Sequence, residues 1–373
     1  MPDPRNPAAA SPEPAAATQL DDPTIYPRLD PADMYGAIRS LPTQLRAAPR
    51  LAGEVDWRSY KPTTPAGVCL CGMGGSAIGG DLARSYWDLE SPVPFVVIRN
   101  DRLPGYINRF WLVIASSYSG NTEETLAAAT EAKARGCQIL ALTTGGTLAA
   151  MAQAAGWPLI RLPAGLSPRA ALGYSFGPVI LALGHWGIAA DSVDHLQSAA
   201  DFLDQRSTMF NRERPLAENA AKQTAAILHD HQMCIYGTTG STDVVAYRFK
   251  GQLCENAKVP AFANALPELL HNEIVGMDTG AREGSLAVAI LKSQDDSPRA
   301  TARLDWVEAR LCQRGVPVVT LIASGKDRLQ RLLSLVQIGD YISYYLAILG
   351  SQNPTPVPAI ADLKRQMGTG APC

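Results

Sequence analysis

Apolar positions along the chain fall into short unbroken runs, separated by longer stretches in which they recur at helical spacing. The runs of the first half are Val68-Cys69-Leu70-Cys71, Phe95-Val96-Val97-Ile98, Trp111-Leu112-Val113-Ile114-Ala115 and Gln138-Ile139-Leu140-Ala141-Leu142. Between them lie turns rich in Gly, Ser, Thr and Asn, and helical stretches through Trp87, through Arg135 and after Gly145-Gly146. Short apolar strands alternating with helices of about ten to fifteen residues predict a parallel, doubly wound α/β sheet with helices on both faces, over residues 65–190.

The second half repeats this rhythm. Cys69-Leu70-Cys71-Gly72-Met73-Gly74-Gly75-Ser76 aligns with Cys234-Ile235-Tyr236-Gly237-Thr238-Thr239-Gly240-Ser241. Further on, Arg135-Gly136-Cys137-Gln138-Ile139-Leu140 aligns with Arg314-Gly315-Val316-Pro317-Val318-Val319, a helix end with a glycine stop leading into a strand. Two matches in the same order predict two tandem subdomains, at 61–192 and 216–350, joined by a helical connection at 193–215 and followed by a C-terminal helix and tail at 351–373. Each subdomain is expected to hold a five-stranded sheet. Residues 25–60 carry Ile38, Leu41, Leu45 and Leu51 at helical spacing, broken by Pro42 and Pro49, and predict one or two packing helices. The Ala/Pro-rich residues 1–24 predict a disordered tail, and the length of 373 residues suggests two hydrophobic cores.

Charge narrows the function. Lys and Arg total 33 against 35 Asp and Glu, so no basic field is present to hold nucleic acid or an anionic membrane, and any anion must be bound locally. The longest near-apolar stretch noted, 176–190, contains Pro178 and His185 and is shorter than the ~20 residues of a bilayer span, so no membrane segment is expected. Seven cysteines with no paired spacing, Cys69 and Cys71 being expected on opposite faces of their strand, predict neither disulfides nor a zinc cluster and point to a reducing cytoplasm.

Two loops carry candidate chemistry. Ser117-Tyr118-Ser119-Gly120-Asn121-Thr122 joins a buried strand to a helix, and its hydroxyls converge on a first turn whose free N–H groups favour an anion. Ser117, Ser119 and Thr122 are therefore candidate ligands of a phosphate monoester; the competing reading is a plain helix cap. Gly72-Met73-Gly74-Gly75-Ser76-Ala77 fits a loose dinucleotide pattern, yet the second strand ends in Arg99-Asn100 where a ribose-binding acid is required. Gly74, Gly75 and Ser76 are read instead as a close-approach loop facing the same phosphate. No G-K-[S/T] follows a glycine loop, which excludes a P-loop. His229-Asp230-His231 lacks further ligands at useful spacing, and neither a metal nor another cofactor is expected.

These loops resemble those of sugar-isomerase (SIS) domains. The second half, with Glu255-Asn256-Ala257-Lys258-Val259-Pro260 and Leu266-Pro267-Glu268-Leu269-Leu270-His271-Asn272-Glu273, is similar to the bifunctional phosphoglucose/phosphomannose isomerases, as are Pro168-Arg169-Ala170-Ala171-Leu172-Gly173, Pro354-Thr355-Pro356 and Leu363-Lys364. The resemblance implies tandem SIS subdomains, a homodimer, and interconversion of glucose 6-phosphate or mannose 6-phosphate with fructose 6-phosphate. A non-catalytic sugar-phosphate-binding regulator is the alternative.

Aldose–ketose isomerisation through an enediol needs a base between C1 and C2 and a group to stabilise the oxyanion. Glu255 follows an apolar helix (Val244, Val245, Tyr247, Phe249, Leu253), where a carboxylate at the helix end beside apolar surface is expected to have a raised pKa, suiting a proton shuttle. Arg169, after Pro168, is placed to lean over the enediolate. By resemblance, His271 and Lys364 serve ring opening, and the family arrangement allows His271 to act across a dimer interface.

Overall fold

The computed structural model describes residues 14–57, 60, 62–87, 91–189, 192–280 and 286–368. Its first sheet holds β1 (Gly67–Cys71), β2 (Phe95–Ile98), β3 (Trp111–Ser116), β4 (Gln138–Thr143) and β5 (Leu159–Arg161) in the order β2-β1-β3-β4-β5, with every pairing parallel. The second holds β6 (Gln232–Thr238), β7 (Ala261–Leu266), β8 (Leu286–Lys292) and β9 (Val318–Ile322) in the order β7-β6-β8-β9, also parallel. β1 and β3 are buried along their whole length, the pattern of strands covered by helices on both faces.

The duplication is visible in the strand orders, which match position for position over four strands. Gly136 and Gly315, the two predicted helix stops, both take left-handed backbone, with φ of 71° and 73°. The second sheet has four strands where five are expected. After β4 the chain makes the helix Gly146–Ala155 and returns as β5, whereas after β9 it enters the 22-residue helix Arg328–Leu349 directly.

That helix is the centre of the molecule. It is long and apolar enough to cross a membrane, but it is almost wholly buried inside the fold. Arg328, Arg331 and Asp340 interrupt its apolar run, which is why 176–190 looked longer in the sequence. It packs on the helices Asp243–Gln252, Ala220–Leu228 and Val193–Ser207. The main apolar cluster runs from Leu20 to Leu349 and takes in Leu70 and Leu112 under the first sheet together with Ile235 and Ala289 under the second. The two expected cores are thus one, with three smaller clusters on outer faces.

Other expectations shift in detail. Three helices, Ile25–Leu29, Met34–Arg39 and Leu41–Gly53, fill residues 25–53; Pro42 starts the third and Pro49 lies inside it. Residues 14–21, expected to be disordered, form the helix Pro14–Asp21. Leu20 is fully buried, and the buried Lys222 ammonium donates to Leu20 O at 2.7 Å and to Asp21 Oδ1 at 2.9 Å. Cys69 and Cys71 share a face, their sulfurs 3.6 Å apart, because side chains two apart in a strand point the same way.

Candidate active site

The loops after β1 and β3 leave the C-terminal edge of the first sheet where the strand order reverses, the crevice in which open α/β sheets receive ligands. One loop supports the other: Tyr118 N donates to Ser76 Oγ at 3.1 Å. Ser117 is buried, and its hydroxyl accepts from Gly120 N at 3.1 Å and lies 2.9 Å from Thr122 Oγ1. Ser119 is exposed, while Thr122 occupies the cap position of the helix Glu123–Ala134 without its side chain capping it. The first N–H groups of that helix are left to solvent or to an anion. Gly120 turns at φ 73°, and a β-carbon there would come within 1.9 Å of Gly145 O, so no other residue closes this loop.

Gly74 and Gly75 divide the role expected of them. Gly74 is open to the crevice, whereas a β-carbon on Gly75 would lie 2.4 Å from Pro168 O and 3.0 Å from Arg169 N. The close approach is therefore to the chain's own Pro168–Ala170 turn, which sets Arg169 beside the loop.

Arg169 joins the halves. Its side chain is nearly inaccessible, and its nitrogens donate from Nε to Asn256 Oδ1 at 2.7 Å, from Nη1 to Glu255 Oε2 at 3.2 Å, and from Nη2 to the carbonyls of Pro354 at 2.7 Å and Thr355 at 2.8 Å. Burial holds its pKa below the usual arginine value, with Glu255 opposing. Glu255 lies in a single π-helical turn, Leu253–Ala257, that ends the helix Asp243–Gln252; such turns recur at functional sites. Its surroundings are not the expected apolar surface but a guanidinium, and a third of its side chain remains exposed. Lys258 follows in left-handed backbone, φ 61°, and its ammonium donates to Glu255 O and, at 3.3 Å, to Pro354 O. Burial, then Arg169, hold that ammonium below its ordinary pKa, against the pull of Glu255.

Residues 217–367 match the family model of the bacterial phospho-glucose isomerase C-terminal SIS domain. A protein of Caldicellulosiruptor bescii named bifunctional phosphoglucose/phosphomannose isomerase is 38% identical over 335 residues, covering 90% of this chain and 98% of the relative. The chain belongs to the bifunctional phosphoglucose/phosphomannose isomerase family. An Aquifex aeolicus protein of the same name is 32% identical over 84% of this chain and 95% of its own. Among solved structures, a hypothetical protein from Thermus thermophilus shares the fold, with a TM-score of 0.74 at 17% identity over 95% of this chain and 93% of that one.

Gly74, Gly75, Ser76, Ser117, Ser119 and Thr122 thus lie in two adjoining loops, and the Gly75 turn packs on the Arg169 backbone, whose side chain meets Glu255. His271 does not join them. It is exposed at the end of the turn Glu268–His271, beyond the C-terminal end of β7, whereas Glu255 precedes the N-terminal end of the same strand. Six residues of strand at about 3.3 Å each set the two ends of β7 roughly 20 Å apart. Lys364 belongs to the helix Pro358–Gly368, but its side chain lies outside the described residues. Sequence reasoning assigned nothing to Asn256 or Lys258; their adjacency to Glu255 was the available signal.

Proposed function

We propose that the chain is an aldose–ketose isomerase that interconverts glucose 6-phosphate or mannose 6-phosphate with fructose 6-phosphate through an enediol, without a metal. The observation that carries this reading is the 3.2 Å contact between Arg169 Nη1 and Glu255 Oε2 across the two halves, beside a hydroxyl-lined loop suited to a phosphate. The phosphate docks on Ser119, Thr122 and the N-terminus of the helix Glu123–Ala134, with Gly74 leaving room. Glu255 removes the C2 proton of the open-chain aldose and returns it to C1, while a proton passes between O1 and O2. The fixed charge of Arg169 stabilises the enediolate.

His271 serves ring opening from a second copy of the chain. The placement of Glu255 and His271 beyond opposite ends of β7 within one chain supports this reading. So does a cleft of about 450 Å³ next to the His271 turn, lined by Leu270, Ile274, Arg299, Ala302, Arg303 and Trp306, with Trp306 and Val275 more than half exposed. The described cysteines are free thiols, which suits the reducing cytoplasm we propose.

Purified protein assayed with each 6-phosphate in the presence of EDTA tests the reaction. Glu255→Gln keeps the shape and removes the base, so KM should hold while kcat falls about 100-fold or more. In deuterated water the wild type should place label at C2 of the aldose, and the variant should lose that exchange in step. A Gln variant that keeps most of its turnover assigns the base elsewhere.

A further inference from the structure

Arg169 is aimed by its backbone as well as by its own side chain. Each carbonyl of the Pro168–Ala170 turn is occupied: Pro168 O by Ala171 N at 3.3 Å, Arg169 O by Arg248 Nη2 at 3.1 Å, and Ala170 O by the Nε2 of the fully buried Gln44 at 2.7 Å. Arg248 is itself buried. Its Nη2 also donates to Asp340 Oδ1 at 3.0 Å and Oδ2 at 2.7 Å, and Gln252 Nε2 donates to Asp340 Oδ1 at 2.9 Å.

Arg–carboxylate pairs are frequently bidentate, two parallel N–H groups each on one carboxylate oxygen. Here one nitrogen carries all three contacts, and Arg248 Nε is buried without a hydrogen-bond partner among the described residues. The guanidinium is turned so that Nη2 reaches the backbone of Arg169. Arg248 also stands seven residues before Glu255, on the helix that runs into the Glu255 turn. One helix therefore holds the carboxylate at its end and, from its middle, the backbone of the arginine that faces that carboxylate. Asn256 closes the same circuit, accepting from Arg169 Nε and donating through Nδ2 to Ser343 Oγ at 3.0 Å, one turn beyond Asp340.

We infer that Arg248, seated by Asp340 and Gln252, is a positioning residue that sets the distance between Arg169 and Glu255. It touches no substrate and acts through the Arg169 carbonyl. The inference rests on Arg169 and Glu255 being the reacting pair.

Arg248→Lys tests it, because lysine keeps the charge beside Asp340 but cannot span both acceptors from one planar group. The folded variant should lose at least tenfold in kcat, with KM for fructose 6-phosphate within twofold of wild type, the pattern of a displaced catalytic group. In double-mutant cycles its loss should fail to add to that of Arg169→Lys and should add to that of Ser119→Ala. Should Arg248→Lys not fold, the paired change Arg248→Met with Asp340→Leu removes both buried charges and should give a stable protein with the same selective loss of kcat. Turnover within twofold of wild type in a folded variant, or additivity with Arg169→Lys, overturns the inference; so does failure of both variants to fold, since the pair would then serve stability. If Glu255→Gln and Arg169→Lys themselves leave turnover intact, the assignment of the reacting pair fails instead.

Discussion

Ser117 and Ser119, two positions apart in one loop, have come to different work. Ser117 Oγ faces inward and holds Gly120 N and Thr122 Oγ1, while Ser119 faces solvent and accepts only a 3.3 Å contact from Asn121 N. Ser117→Ala removes one of two acceptors of Gly120 N, which keeps the Ser117 carbonyl at 3.0 Å, and the partner of Thr122 Oγ1, and should cost about 0.5–1.5 kcal/mol of stability as well as phosphate affinity. Ser119→Ala should leave the thermal midpoint in place and raise KM about tenfold, the size of one charge-assisted hydrogen bond. Thermal melts beside Michaelis constants separate the two, and the reverse pattern would make Ser117 the ligand face. The hydroxyl loop was legible because its chemistry is contiguous. Gln44, Arg248 and Asp340 were not, because each meets its partner some 80 to 130 residues away and looks in sequence like any polar helix residue.

The helix Arg328–Leu349 shows how an element is missed and what it then imposes. Its charges hid an apolar span, and Ala/Pro composition hid the N-terminal helix that lies on it. The long helix carries Tyr341, Tyr344 and Tyr345, and Tyr26 stacks on Tyr344; all four have a pKa raised chiefly by burial. A phenol raised in the fold keeps a proton that the unfolded chain releases from about pH 10, so its contribution is complete below that pH and lost as pH climbs toward the folded value. Lys222, lowered by burial, works in the opposite direction. The thiols of Cys71, held up by its contact with Cys69, and of Cys137, Cys234 and Cys312, held up by burial, act in the same sense as the phenols. Urea unfolding should therefore give a free energy that begins to decline at about pH 9 and falls further above about pH 10. Tyr345→Phe should flatten that decline; an unchanged slope would place the titration elsewhere.

At the scale of the molecule the two sheets are set head to tail. Arg169 brings the C-terminal edge of the first to the N-terminal side of the second, and Arg328, donating to Ser85 O at 2.9 Å and Gly240 O at 2.7 Å, ties the opposite ends. His271 is thereby carried away from its own crevice. For the homodimer we propose, mixing Glu255→Gln with His271→Ala protein should then restore activity, to about a quarter of wild type at free exchange, because half the dimers gain one intact site. A dead mixture whose subunits demonstrably exchange would put His271 to work within its own chain. The repeat announced the duplicated fold in advance, but not that the copies share one interior, since apolar residues do not state which neighbour they will meet. That shared interior has a lineage-level consequence. Gene duplication usually leaves two beads that recombination can separate and reuse, yet a cut in the connection here would strip each bead of its inner wall. The copies have become each other's solvent, and neither can be inherited alone.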